Sequence, residues 1–122
     1  MKNIPSLILK GFIASLILLL AYSCTNSEAE TTVVITVRDV NSHVIQGGSV
    51  VLYKSLNDLT YGFGYKSTAT DANGQATFTG VDSGIDYYFE ASQAGKDNST
   101  HNNHVGSVTK PHQTSYASTV ID

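Results

Sequence analysis

The chain has 122 residues, room for one compact domain and not for two. Only 14% of the residues are charged, and Thr, Ser, Gly, Val and Tyr are abundant, a balance of strands and turns rather than of solvated helices. The formal net charge is −3; of the seven basic residues Lys2 and Lys10 open the chain, five remain beyond them against ten acidic ones, and Arg38 is the sole arginine, so the attraction to phosphate backbones is missing and nucleic acid is excluded as a partner.

Met1 to Lys10 carries two lysines and no acid, and Gly11 to Tyr22 is an almost unbroken apolar run. That run is about a dozen residues, short of the roughly 20 that a spanning helix needs, so residues 1–23 are expected to be a cleaved signal peptide. Directly after it, Leu20-Ala21-Tyr22-Ser23-Cys24 resembles the lipobox of bacterial lipoproteins, with a small residue before a cysteine; Ala21 stands where Leu is preferred and Tyr22 is larger than usual. The resemblance implies acyl chains on the thiol and on the new α-amine of Cys24. At roughly 0.8 kcal/mol per buried methylene, several chains hold a domain at a membrane permanently. Lipidation also accounts for a lone cysteine that can form no intrachain disulfide.

Residues 24–31 are then a lipidated cysteine and a flexible acidic tether, Thr25-Asn26-Ser27-Glu28-Ala29-Glu30. Acids just past the cysteine resemble a signal by which some Gram-negative bacteria place lipoproteins on the outer face of the outer membrane. The expected location is therefore the outer membrane facing the exterior, with its periplasmic face as the alternative.

From Thr31 onward apolar residues recur at period two between turn residues, and no window shows a period of 3.6. Strands are expected near 32–40, 49–55, 61–69, 75–80, 86–92, 104–109 and 113–121. Val33, Ile35 and Val37 share one face of the first; Val50 and Leu52 oppose Val51 and Tyr53 in the second. Asp71-Ala72-Asn73-Gly74 marks a tight hairpin, because Asn and Gly accept positive φ. Ala76, Phe78 and Val81 face inward beyond it, as do Tyr87, Phe89 and Ala91 of the fifth strand. Seven short strands cannot bury their apolar faces singly, so the expectation for 32–122 is an all-β Greek-key sandwich of two sheets, with a closed barrel second.

The segments Val37-Arg38-Asp39-Val40-Asn41, Val44-Ile45-Gln46-Gly47-Gly48-Ser49-Val50-Val51-Leu52-Tyr53, Thr70-Asp71-Ala72-Asn73-Gly74-Gln75-Ala76-Thr77-Phe78 and Asp86-Tyr87-Tyr88-Phe89-Glu90-Ala91 together resemble the carboxypeptidase-regulatory-like domains. The resemblance covers about residues 35 to 100 and implies a prealbumin-like, or immunoglobulin-like, seven-stranded sandwich without catalytic activity. Some relatives carry a Lys to Asn isopeptide bond promoted by an acid in the fifth strand; here Glu90 alternates outward and the first strand has no lysine.

Two groups of side chains stand out as candidate sites. Tyr61, Phe63 and Tyr65 alternate with Gly62 and Gly64, giving one aromatic face: either the core face of the third strand, which is the favoured reading, or a surface for a sugar or protein partner. His101 and His104 stand three apart, a spacing at which imidazoles share zinc or copper, but only Asp97 is near to extend the ligand set, so a polar surface loop is the simpler reading. Asp71 and Asn73 are turn chemistry rather than a calcium loop. Asn98-Ser99-Thr100 fits a glycosylation sequon by chance.

No serine, threonine or cysteine lies in a nucleophile context. The expectation is a non-catalytic envelope lipoprotein without a cofactor, a binding or structural module that meets membrane lipid through Cys24 and a protein or glycan partner. The alternative is an accessory protein that handles a metal or small ligand with the His101 and His104 loop.

Overall fold

The computed structural model describes residues 29–122; the expected signal peptide, Cys24 and most of the tether lie outside the described residues. Seven strands form two sheets. β1 (Thr32–Arg38), β4 (Gln75–Thr79) and β7 (Thr114–Val120) make one in the order β4-β1-β7. β2 (Ser49–Tyr53), β3 (Lys66–Ala69), β5 (Tyr88–Gln93) and β6 (Lys96–Asp97) make the other in the order β3-β2-β5-β6. Every pairing is antiparallel except β1 with β7, which run parallel from Thr32 opposite Thr114 to Arg38 opposite Val120. The chain is an all-β two-sheet sandwich.

Alternation places the core. Val33, Ile35 and Val37 from β1, with Ala76 and Phe78 from β4, meet Val50 and Leu52 from β2 and Phe89 and Ala91 from β5. Val81, Tyr87 and Ile121 complete the cluster outside the strands. Tyr87 has no exposed surface, and its hydroxyl donates to the Asp82 carbonyl at 2.9 Å. Burial, ahead of the negative potential of its neighbours, raises its pKa.

Three expectations are corrected. Residues 61–65 are not strand: the segment after β2 forms a helix, α1 (Leu56–Tyr61), and β3 begins only at Lys66. Residues 104–109 are not strand either. They run beside β5 and the residues before it with an isolated bridge between Tyr88 and His104 and two bonds, from the Val105 N–H to the Tyr87 carbonyl at 3.0 Å and from the Thr109 N–H to the Ile85 carbonyl at 2.9 Å, but Gly106 at φ 87° breaks the ladder and Val108 is exposed. The sixth strand is Lys96–Asp97 instead, joined to β5 by Ala94 and Gly95, both at positive φ as a two-residue hairpin requires.

The third correction concerns the turn at 71–74. Of the two residues expected at positive φ only Gly74 takes it, at 74°, while Asn73 serves through its N–H, which with that of Gln75 donates to Asp71 Oδ1. A Cβ on Gly74 would stand 2.8 Å from the Val37 carbonyl oxygen, so glycine is required twice over. Yet the turn does not join paired strands: β3 belongs to one sheet and β4 to the other, so it is a corner that carries the chain across the sandwich.

Candidate binding surface on the four-stranded sheet

α1 is short, and caps rather than burial define it. Ser55 is extended and its hydroxyl accepts from the Asp58 N–H at 3.1 Å, satisfying one of the helix's unpaired donors. At the other end Gly62 is left-handed at φ 75°; its N–H reaches the Leu59 carbonyl while the Phe63 N–H reaches that of Asp58 at 2.9 Å, the paired closure of a Schellman motif. No residue of the helix is buried.

α1 lies on the outer face of the four-stranded sheet, the face of Val51, Tyr53 and Glu90. Tyr53 is buried there, and burial followed by the charge of Glu90 raises its pKa. The returning chain passes so close that a Cβ on Gly64 would come within 2.9 Å of Val51 Cγ1. A shallow groove of about 280 Å³ lies between Leu59 and the Asn98–Asn103 loop over Glu90 and Asp97, and another of about 250 Å³ lies beside Val51 and Lys66 where the chain returns to the sheet.

The three aromatic residues divide. Tyr61 and Phe63 are 67% and 65% exposed, their ring centroids 6.4 Å apart, and Leu56 at the start of the helix is 53% exposed. A common core face for the three is therefore set aside, because the glycine at 62 ends a helix instead of alternating in a strand. Tyr65 alone packs inward, stacked on Tyr87 at 5.7 Å. The Lys54 ammonium stands 4.3 Å above the Tyr65 ring and pairs with Asp82 at 2.7 Å, a hydrogen bond that raises the lysine's pKa. Tyr65 is the fixed base of the excursion, and Tyr61 and Phe63 are its free tip. The capping signals for this helix, Ser55 with Asp58 three residues on and Gly62 just past the end, stand in the sequence, but six residues are too few for a period of 3.6 to register.

The histidines are brought to separate partners. His101 Nε2 lies 3.1 Å from Asp122, and His104 Nε2 lies 2.5 Å from Asp86 with its ring stacked on Tyr88. Among the described residues no group of three or more His, Cys, Asp or Glu side chains converges as a metal set. Ahead of both in the chain, Asn98 is 2% exposed and wholly engaged: Oδ1 accepts from the Ala91 N–H at 2.9 Å and Nδ2 donates to the Asn102 carbonyl at 2.9 Å. The sequon is thus closed by its own fold, since its amide is inside the protein.

No family model matches the chain, and no curated protein matches it. Among solved structures, the Bacillus anthracis TIE protein aligns with a TM-score of 0.42 at 16% identity, over 75% of this chain and 15% of that one. So remote a likeness, to a small part of a much longer protein, carries no functional argument. What the fold itself defines is a two-sheet all-β sandwich with an aromatic tip raised on one outer face.

Proposed function

We propose that the chain is a non-catalytic envelope lipoprotein, anchored through acyl chains on Cys24 at the outer membrane and facing the exterior, whose sandwich acts as a binding or structural module through the tip carrying Tyr61 and Phe63. The observation that carries this reading is that two large aromatic side chains stand exposed on an element capped at both ends, where nothing in the fold needs them. A prealbumin-like Greek key is supported by connectivity: β2 and β3 form a hairpin in one sheet, and β4 crosses over to lie beside β1 in the other.

Two linked measurements test the reading. Intact mass of the membrane fraction is expected to show a lipid-sized increment that Cys24→Ala abolishes, with whole-cell proteolysis reporting the face. A photo-crosslinking residue at position 61 or 63 is expected to give adducts in cells that the same residue at 116, on the outer face of the opposite sheet, does not. Equal adducts at all three positions would remove the tip from the proposal.

A further inference from the structure

We infer that the exposed pair Tyr61 and Phe63 rests on the same bilayer that holds the chain's own anchor, so that the domain is held in one orientation with its tether end toward the lipid; this rests on the reading of Cys24 as lipidated.

Position comes first. The excursion leaves the sheet at Lys54 and returns at Tyr65, and both residues are pinned to the end of the sandwich where β1 begins. Lys54 pairs with Asp82, the neighbour of Val81, whose N–H donates to the Thr31 carbonyl at 3.1 Å. Tyr65 stacks on Tyr87, whose hydroxyl is bonded to the Asp82 carbonyl. The excursion is therefore rooted at the tether's end of the domain, and its six-residue helix is about 9 Å long, so that the tip stays within that distance of the root. Thr31 and Cys24 are seven residues apart, which at full extension spans about 25 Å at most. An anchor at Cys24 thus puts a bilayer within reach of this pair and turns the opposite end, with the turns at Asp39–Ser42, Asp71–Gly74 and Ala94–Gly95, away from it.

The chemistry of the pair agrees. Tyr is suited to the headgroup boundary, where one end of the ring is apolar and the other wet, and Phe63 adds hydrocarbon. At the base of the excursion the Lys54 and Lys66 ammonium groups stand 4.3 and 5.6 Å from the Tyr65 ring centroid, on long stems that can keep their charge in water while the tip lies against lipid. Asp58 on the helix and Asp82 at its base offset them, so the contact is apolar and does not depend on anionic lipid.

Size separates the bilayer from a soluble partner. Two side chains fall far short of the ~800 Å² per partner of a stable protein interface. A tethered contact needs much less, because a short linker supplies an effective concentration on the order of mM and populates an affinity too weak to capture a protein or glycan from solution.

The chain has no tryptophan, so one substitution makes a clean probe. Full-length lipidated protein carrying Phe63→Trp is reconstituted into vesicles of phosphatidylethanolamine and phosphatidylglycerol, with Tyr61→Trp as a second probe and Tyr116→Trp as the control. Emission from positions 63 and 61 is expected to move to shorter wavelength and to be quenched by brominated acyl chains, at low and high salt alike, while position 116 stays water-like. Protein that floats with the vesicles but keeps water-like emission at 61 and 63 overturns the bilayer contact and leaves the anchor standing. Protein that neither floats nor carries a lipid-sized mass overturns the anchor, and this proposal with it. Shielding that appears only after an envelope protein or glycan fraction is added assigns the tip to that partner and overturns the bilayer.

Discussion

Two connections flank the outer face of the four-stranded sheet: the excursion through α1 between β2 and β3, and the loop from Asn98 to His104. Both are rich in residues that attract functional readings, aromatic rings in one and histidines and asparagines in the other. In the loop nearly every such group is engaged within the fold. Asn98 continues the edge of β5 with its side chain, Asn102 Nδ2 donates to the Ser118 carbonyl at 3.0 Å, and both histidines face carboxylates. In the excursion only Tyr65 is engaged, while Tyr61 and Phe63 remain exposed. The difference teaches that residue type nominates a site, but unspent bonding and packing capacity is what distinguishes a contact surface from structure.

The comparison is broken most directly at Asn98. Asn98→Ala leaves the buried Ala91 N–H without its acceptor and takes one of two donors from the Asn102 carbonyl, which keeps the Thr119 hydroxyl at 2.6 Å, and is expected to cost about 2–3 kcal/mol in urea unfolding. A loss of a few tenths would mean that water takes the place of the amide.

On the other side of the comparison, Gly62→Ala tests the cap. Nothing lies within 4 Å of the added methyl, so the expected cost of about 1–2 kcal/mol is the left-handed backbone alone. The same variant is expected to loosen the tip, with faster amide exchange confined to residues 56–63.

His101→Ala combined with His104→Ala removes two partly exposed pairs and the stack on Tyr88, and is expected to cost about 1 kcal/mol. Zinc calorimetry on the same two proteins sharpens the point. Identical traces are expected, and heat seen only in the wild type would return the loop to metal binding.

The smallest effect is expected at Asp97. Hydrogen bonds from Ser99, its hydroxyl first and its N–H second, hold this carboxyl below the ordinary value of 3.8. A carboxyl depressed by folding adds stability above its unfolded value and loses it as pH falls through the folded one. Stability is therefore expected to drop with acid below 3.8 and to drop less in Asp97→Asn, as read from the urea midpoint at a series of pH values.

Alternation alone placed the inward faces of β1, β2, β4 and β5: Val33, Ile35, Val37, Val50, Leu52, Ala76, Phe78, Phe89 and Ala91 are all in the core. These positions were legible because a strand with one buried face repeats every two residues, and a slip of one would turn the whole set to water. The turn at Asp71–Gly74 was legible for a similar reason, since its bonds close within five residues. The core face expected of Tyr61, Phe63 and Tyr65 failed because glycine marks the end of a helix as readily as it marks a strand, and only the caps at Ser55 and Gly62 distinguish the two.

By itself, then, the sequence determined an all-β body, its buried positions and its local turns, because each depends on neighbours a few residues apart. Tertiary structure alone decided that the 71–74 turn crosses between sheets, that Asn98 is buried while Tyr61 and Phe63 are not, and that α1 stands at the end where β1 begins. Those outcomes depend on which distant backbone groups come to lie side by side. No local pattern records that Ala91 needs an acceptor from residue 98, or that Asp82 will join Lys54 to the start of β1.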